Sequence, residues 1–163
     1  MEQGSWIVVR VVRPGDAAML QSNCFVRNTV EETAGRVDGN LQGYAEGEVI
    51  PLVAEVDGVV VGNAVLKRKN HPLYRHRADL TDMVVCAEYQ RRGIARRLIE
   101  ALRDHAAQIS VTIFETGVRG GTPAEEVYRR VGFREYGRLP GGIVEPWGEC
   151  GVYDEVLFWM PTK

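Results

Sequence analysis

Short apolar runs alternate with glycine, proline and charged residues along the chain. Residues 6–12, Trp-Ile-Val-Val-Arg-Val-Val, predict a strand, which Arg13-Pro14-Gly15-Asp16 stops. Asp16 is placed to cap a following helix, and residues 17–37 read as mostly helical. Within them Thr29-Val30-Glu31-Glu32 has the spacing of a capping box and predicts a second helix start. Two strands, 51–56 and 59–67, flank Asp57-Gly58, a strong two-residue hairpin signal. A polar stretch over 67–77 carries His71 and His76, and the next strand spans 79–86.

The clearest helical period lies over 93–108. Ile94, Leu98, Ala101, Leu102, His105 and Ile109 share one face, with Arg92, Arg96, Arg103 and Gln108 largely off it. A strand over 111–115 follows. Thr122-Pro123-Ala124-Glu125 then predicts a helix start: Thr122 as cap, Pro123 at the first helical position and Glu125 closing a capping box. That helix runs to about 131, with Gly132 as its left-handed stop. Strands over 133–137 and 153–160, separated by a Gly/Pro-rich loop, close the chain. The hairpin argues for antiparallel pairing early, and the strand-helix-strand unit over 79–115 for at least one parallel pair. The expected fold is a single α/β domain over 1–163. Its central sheet is mixed and largely antiparallel, of six to seven strands with about four helices, not a regular Rossmann alternation.

Composition changes this picture little. The 163 residues are 45% apolar and 26% charged, which suits a packed globular core. A formal net charge of −2 gives no global footprint for nucleic acid, but leaves room for a local basic patch. Cys24, Cys86 and Cys150 are odd in number and far apart, so neither a disulfide scaffold nor a zinc site is expected. A reduced, cytoplasmic protein fits this usage. The start of the sequence has no basic region followed by a long apolar run, so no signal peptide, spanning helix or membrane partner is expected.

The basic patch lies at Gln90-Arg91-Arg92-Gly93-Ile94-Ala95, where a strand ends and a helix begins. The first turn of a helix exposes unpaired N–H groups and the positive end of the macrodipole, a ready site for phosphate. Gly93 and Ala95 let a ligand approach the backbone, while Arg91, Arg92, Arg96 and Arg97 add cations. The segment suits a polyanion such as the diphosphate of coenzyme A. Neither of the common nucleotide-binding glycine motifs, G-x-x-x-x-G-K-[ST] or G-x-G-x-x-G, occurs.

This hexamer resembles the R/Q-x-x-G-x-G/A signature of the GNAT superfamily of N-acetyltransferases, with Gln90, Gly93 and Ala95 in its fixed positions. Met83-Val84-Val85 before it and Leu98-Ile99 within its helix agree. The run Ala124-Glu125-Glu126-Val127-Tyr128-Arg129-Arg130-Val131-Gly132-Phe133 is similar to the family's A-x-x-x-Y-x-x-x-G-F block. The resemblance covers roughly residues 50–137 well and the earlier helices loosely. The ending, from Gly137-Arg138-Leu139-Pro140-Gly141 onward, resembles the tabtoxin-resistance branch less specifically.

The resemblance implies a GNAT-like fold and acetyl-CoA as cosubstrate. Met83, Val84 and Val85 would pair with the pantetheine arm, and Val85 would polarise the thioester. Gln90, Arg91, Arg92, Gly93, Ile94, Ala95 and Arg96 would hold the phosphates. Tyr128 would protonate the departing thiolate. Asp79 stands where many relatives carry a strand glutamate. It, Asp82 and Glu115 are candidate bases, though for any one of them pairing with the nearby arginines is the favoured reading, and a water chain is the other candidate base. Regular alternation would put Asp82 on the opposite face of its strand from Asp79. One departure is Gly121, where relatives often carry Asn; Thr122 is a candidate replacement contact.

The acceptor is expected to be a small-molecule or peptide primary amine. It would bind among residues 17–37, 67–77 and 140–151, which with nearby Tyr44 offer Tyr74, Trp147 and the acids Glu31, Glu32, Glu145 and Glu149. A non-catalytic acyl-CoA sensor that kept the grip and lost the chemistry is the alternative. The apolar strand Val156-Leu157-Phe158-Trp159-Met160 is a candidate for a homodimer sheet.

Overall fold

The structure is a computed structural model and describes residues 6–163. Among the described residues, seven strands form one sheet in the order β1-β2-β3-β4-β5-β7-β6. They are β1 (Ile7–Val11), β2 (Val49–Val56), β3 (Val59–Arg68), β4 (Arg77–Val85), β5 (Ile113–Arg119), β6 (Arg134–Val144) and β7 (Val152–Pro161). The longer helices are α1 (Ala17–Asn23), α2 (Val30–Ala45), α3 (Ile94–Gln108) and α4 (Pro123–Arg130). Every neighbouring pair is antiparallel except β4 and β5, which α3 joins as a crossover.

Local chemistry explains most boundaries. Asp57, at positive φ, and Gly58 turn the β2–β3 hairpin. Thr29 Oγ1 accepts from Glu32 N at 3.1 Å, and Glu32 returns the bond to Thr29 N at 2.9 Å, so the expected box starts α2. This helix continues to Ala45, well past the expected limit of 37. Gly35, Gly39 and Gly43 lower its helical propensity in sequence terms. Gly43 serves packing, since a Cβ there would collide with the Val49 side chain.

Four expectations need correction. Asp16 stands at the start of α1 but its carboxylate does not cap it. Instead it accepts from Arg13 N at 2.7 Å and from both terminal nitrogens of Arg10 at 2.8 Å. Thr122 precedes α4, yet its hydroxyl donates to Arg119 O at 2.7 Å rather than capping, and Glu125 reaches back to Gly121 N instead. Strand β6 runs through the expected Gly/Pro-rich loop to Val144, with a bulge between Leu139 and Ile143. Strand β7 is interior, paired with β5 and β6, so it is not an edge at which a dimer sheet could extend; among the described residues the sheet's edge strands are β1 and β6.

Alternate residues of β2 enter two different cores. Leu52 and Ala54 join a large cluster with Leu98, Leu102, Phe114 and Phe158, whereas Val53 joins Leu20, Val37 and Val60. A strand covered on both faces needs apolar side chains at every position, which is why β2 and β3 read as continuous hydrophobic runs. The helices α3 and α4 cover one face. The helices α1 and α2 pack mainly on β3 and β2, so among the described residues no helix covers most of the β4-β5-β7-β6 half of the other face.

Candidate active site

Strands β4 and β5 pair only at Arg77, Ala78 and Asp79 and then diverge, although β5 continues to Arg119 along β7. The β5-facing edge of β4 beyond Asp79 therefore lacks a strand partner. The split is reinforced by a bulge in β4. Asn63 aligns with Val84 but Val65 with Thr81, so β4 carries an extra residue, and Asp82 takes φ +51°. The buried Asn63 amide donates to Asp82 O at 2.8 Å and holds the bulge. The bulge breaks the alternation, so Asp79 and Asp82 both line one cavity, correcting the expectation of opposite faces.

That cavity encloses about 980 Å³ over the bare half of the sheet and opens at the β4–β5 split. It collects Asp79, Asp82, Met83, Glu115 and Tyr128. Tyr128 is 8% exposed, its ring edge-on to Phe133 and stacked with Phe158. Burial pushes its phenol up to about 12, against the opposing pull of a hydrogen bond with Thr116, while the charge of Asp82 adds to the rise. Thr116 in turn donates to Leu80 O at 3.0 Å across the split.

The carboxylates differ in their surroundings. Glu115 receives both Arg77 Nε and Nη2 at 2.6 Å, and Tyr136 donates to it at 3.3 Å. The Arg77 hydrogen bonds, with Lys69 nearby, hold its carboxyl below the usual range against the cost of burial. Asp79 is paired with Lys69 at 2.8 Å, and Asp82 with Arg36 at 3.1 Å. Among the described residues, no group of three or more His, Cys, Asp or Glu side chains is arranged to hold a metal ion.

Residues 84–96 and Thr122 lie outside this cavity's lining. The turn over 91–93 is built by two left-handed residues, Arg91 at φ +61° and Gly93 at φ +80°. Gly93 is the cap position of α3 and, among the described residues, no side chain caps it; the first helical bond runs from Arg97 N to Gly93 O at 3.0 Å. The N–H groups of Ile94, Ala95 and Arg96 thus lack a helical acceptor. A Cβ on Gly93 would meet nothing within 4 Å, so the turn faces open space flanked by exposed Arg91, Arg92 and Arg96. Gln90 faces back instead, donating to Val85 O at 3.2 Å. An uncapped helix start beside a strand edge without a partner fits a ligand that is anionic at one end and amide-bearing along its length.

Residues 20–133 match the acetyltransferase (GNAT) family model. The chain belongs to this family. Acetyl-CoA is the cosubstrate of its enzymes, and membership makes the chain an acyl-CoA-dependent acetyltransferase. The GNAT fold is repeated in solved structures. An acetyltransferase from Salmonella typhimurium, solved with acetyl-CoA, superposes at TM-score 0.80 with 20% identity, over 96% of this chain and 94% of that one. RimJ from Mycobacterium smegmatis, in complex with CoA-disulfide, gives TM-score 0.77 and 23% identity, over 95% and 81%. A phosphinothricin acetyltransferase from Sinorhizobium meliloti, in complex with acetyl-CoA, gives 0.78 and 16%, over 95% and 88%. Among the described residues, no helix of the GNAT domain is long and apolar enough to cross a membrane.

The structure also gathers residues that sequence reasoning passed over. Arg27, Lys69, Arg77, Tyr136, Glu155 and Leu157 all line the cavity. Alternation in β7, with Val156, Phe158 and Met160 buried, could have assigned Glu155 and Leu157 to the opposite face. The expected acceptor segments contribute Arg27, Lys69, Arg77, Glu145 and Trp147, whereas Tyr44, Tyr74, His71, Glu31, Glu32 and Glu149 do not line the cavity.

Proposed function

We propose that this protein transfers an acetyl group from acetyl-CoA to a primary amine of a small molecule or peptide, by direct attack in a ternary complex. One observation carries the reading: a buried tyrosine hydroxyl, carboxylates and a partnerless strand edge meet in a cavity large enough for an acceptor. Acetyl-CoA supplies the activated acyl group. The N–H groups at the start of α3, from Gly93 through Arg96, hold the diphosphate with Arg91 and Arg92 beside them. Gln90 braces this turn through Val85. Met83, Val84 and Val85 offer the backbone groups that take the pantetheine arm, and the Val85 N–H polarises the acyl carbonyl. Thr122 flanks the arm near α4.

A lysine-like amine is charged near pH 7 and must lose a proton to attack. Asp82 takes it, because the β4 bulge turns it into the cavity that Tyr128 also lines. Arg36, paired with Asp82, also favours the neutral amine. Glu115 and Asp79 hold Arg77 and Lys69 and so shape the cavity floor. Tyr128 gives its proton to the leaving sulfur.

The test is release of free thiol from acetyl-CoA across a broad panel of primary amines. Turnover with at least one class is expected. Saturable acetyl-CoA binding with no thiol release on any amine would refute transfer and favour the sensor.

A further inference from the structure

We propose that Glu155 selects acceptors carrying a second positive charge, by holding a cationic group other than the amine that reacts. The inference rests on the cavity being the acceptor site. Among the described residues, five carboxylates line it: Asp79, Asp82, Glu115, Glu145 and Glu155. Four are committed to cations, Asp79 to Lys69, Asp82 to Arg36, Glu115 to Arg77 and Glu145 to Arg119. Among the described residues, Glu155 alone of the five has no ion pair or hydrogen bond to its carboxylate. Among the described residues, the cations lining the cavity are equally committed except Arg27, which is exposed and stacks on the Trp147 ring at 5.5 Å.

The position of Glu155 is built by its neighbours on both sides. A Cβ on Gly117 of β5 would stand 3.1 Å from Glu155 Cδ and collide with its Oε1. A Cβ on Gly142 of β6 would stand 2.9 Å from Glu155 Cβ. Gly142 makes room for the base of the side chain and Gly117 for its carboxylate, which rests against β5. Glu155, Gly117 and Tyr128 line the same cavity, so the free charge and the buried hydroxyl face one enclosed space.

Charge logic separates this carboxylate from a base. An unpaired anion raises the pKa of an ammonium held against it and keeps it protonated. On the reacting nitrogen that would oppose attack. On a group that keeps its charge throughout, the same interaction is binding energy, and it orients the acceptor with its other amine toward Asp82. The acceptor class is therefore a diamine, or a larger molecule presenting a second ammonium or guanidinium near the first.

The experiment is calorimetric binding of α,ω-diamines of graded length, each against the monoamine of equal length, to the protein saturated with CoA. In the wild type, at least one diamine should bind about 10- to 100-fold more tightly than its monoamine, the effect of one charge-assisted contact. Glu155→Gln should erase that ratio while leaving CoA affinity and the melting temperature unchanged, and Glu155→Asp should restore part of it. A wild type that never discriminates, or a preference that survives in Glu155→Gln, overturns the proposal. Because binding is read without turnover, discrimination in a protein that releases no thiol would refute the transfer reading and leave this one standing.

Discussion

Tyr128 is buried against Phe133 and Phe158, where a phenolate would lose its water, so the hydroxyl keeps its proton well beyond the range of an ordinary tyrosine. For a donor to a leaving thiolate this has a defined sign. The required form is the protonated one, and it stays populated until pH approaches the folded value of about 12. Rates should therefore rise with pH as the acceptor amine loses its proton, and should not fall near pH 10 as an exposed tyrosine acid would make them. Tyr128→Phe keeps the ring packing and removes the donor. Its kcat should drop about 100-fold or more, with acetyl-CoA affinity retained. An unchanged kcat across pH would remove the assigned role. Tyr128 was legible in the sequence because it falls in a recognisable block. Glu155 was not, because its distinction is negative. It is the carboxylate left over after pairings such as Arg77–Glu115, which join residues 38 apart in sequence.

Among the elements, the turn into α3 was legible, because Gly93 falls between a strand and a clear helical period, and it takes φ +80° at the cap. The end of α2 was not. Its last turns carry Gly39 and Gly43, poor helix formers, yet the helix continues to Ala45 against β2, where Gly43 fits beside Val49. The bulge at Asp82 was invisible because it depends on Asn63, a strand away. It is also the feature that moves Asp82 into the cavity, so the missed backbone detail and the misassigned side chain are one error. Gly93→Ala tests the turn. The new methyl meets open space, and the strain comes only from φ, costing about 1–2 kcal/mol. Relief of that strain would tilt the N–H groups of Ile94 and Ala95. The expected result is a weaker Kd for acetyl-CoA with kcat at saturation largely kept. Unaltered affinity in a destabilised variant would dissociate the turn from phosphate binding.

Across the whole molecule, the sheet is covered on one face by α3 and α4 and on the other only over β2 and β3. At the edge of the sheet away from the cavity, ion pairs join the elements. There Arg10 of β1 bonds Asp16 at 2.8 Å through both terminal nitrogens and Glu55 of β2 at 3.0 Å, tying the first strand to the start of α1. Burial alone would raise the Asp16 carboxyl. The bonds from Arg10 and Arg13 outweigh it and leave it below its ordinary value. Glu115 is lowered as well, chiefly by Arg77. Groups depressed in the folded state stabilise it fully above their unfolded pKa, near 4. That contribution is lost as pH falls through the folded values. Stability should therefore be flat near neutrality and decline progressively below about pH 4. Asp16→Asn leaves Arg10 short of a buried anion and should cost about 3 kcal/mol near neutral pH. It also removes one of the groups responsible for the acid decline, so the gap between variant and wild type should narrow toward pH 2. Urea unfolding at a series of pH values reads both effects. A gap that stays constant from neutral to acid pH would mean that Asp16 acts through shape, not through its charge.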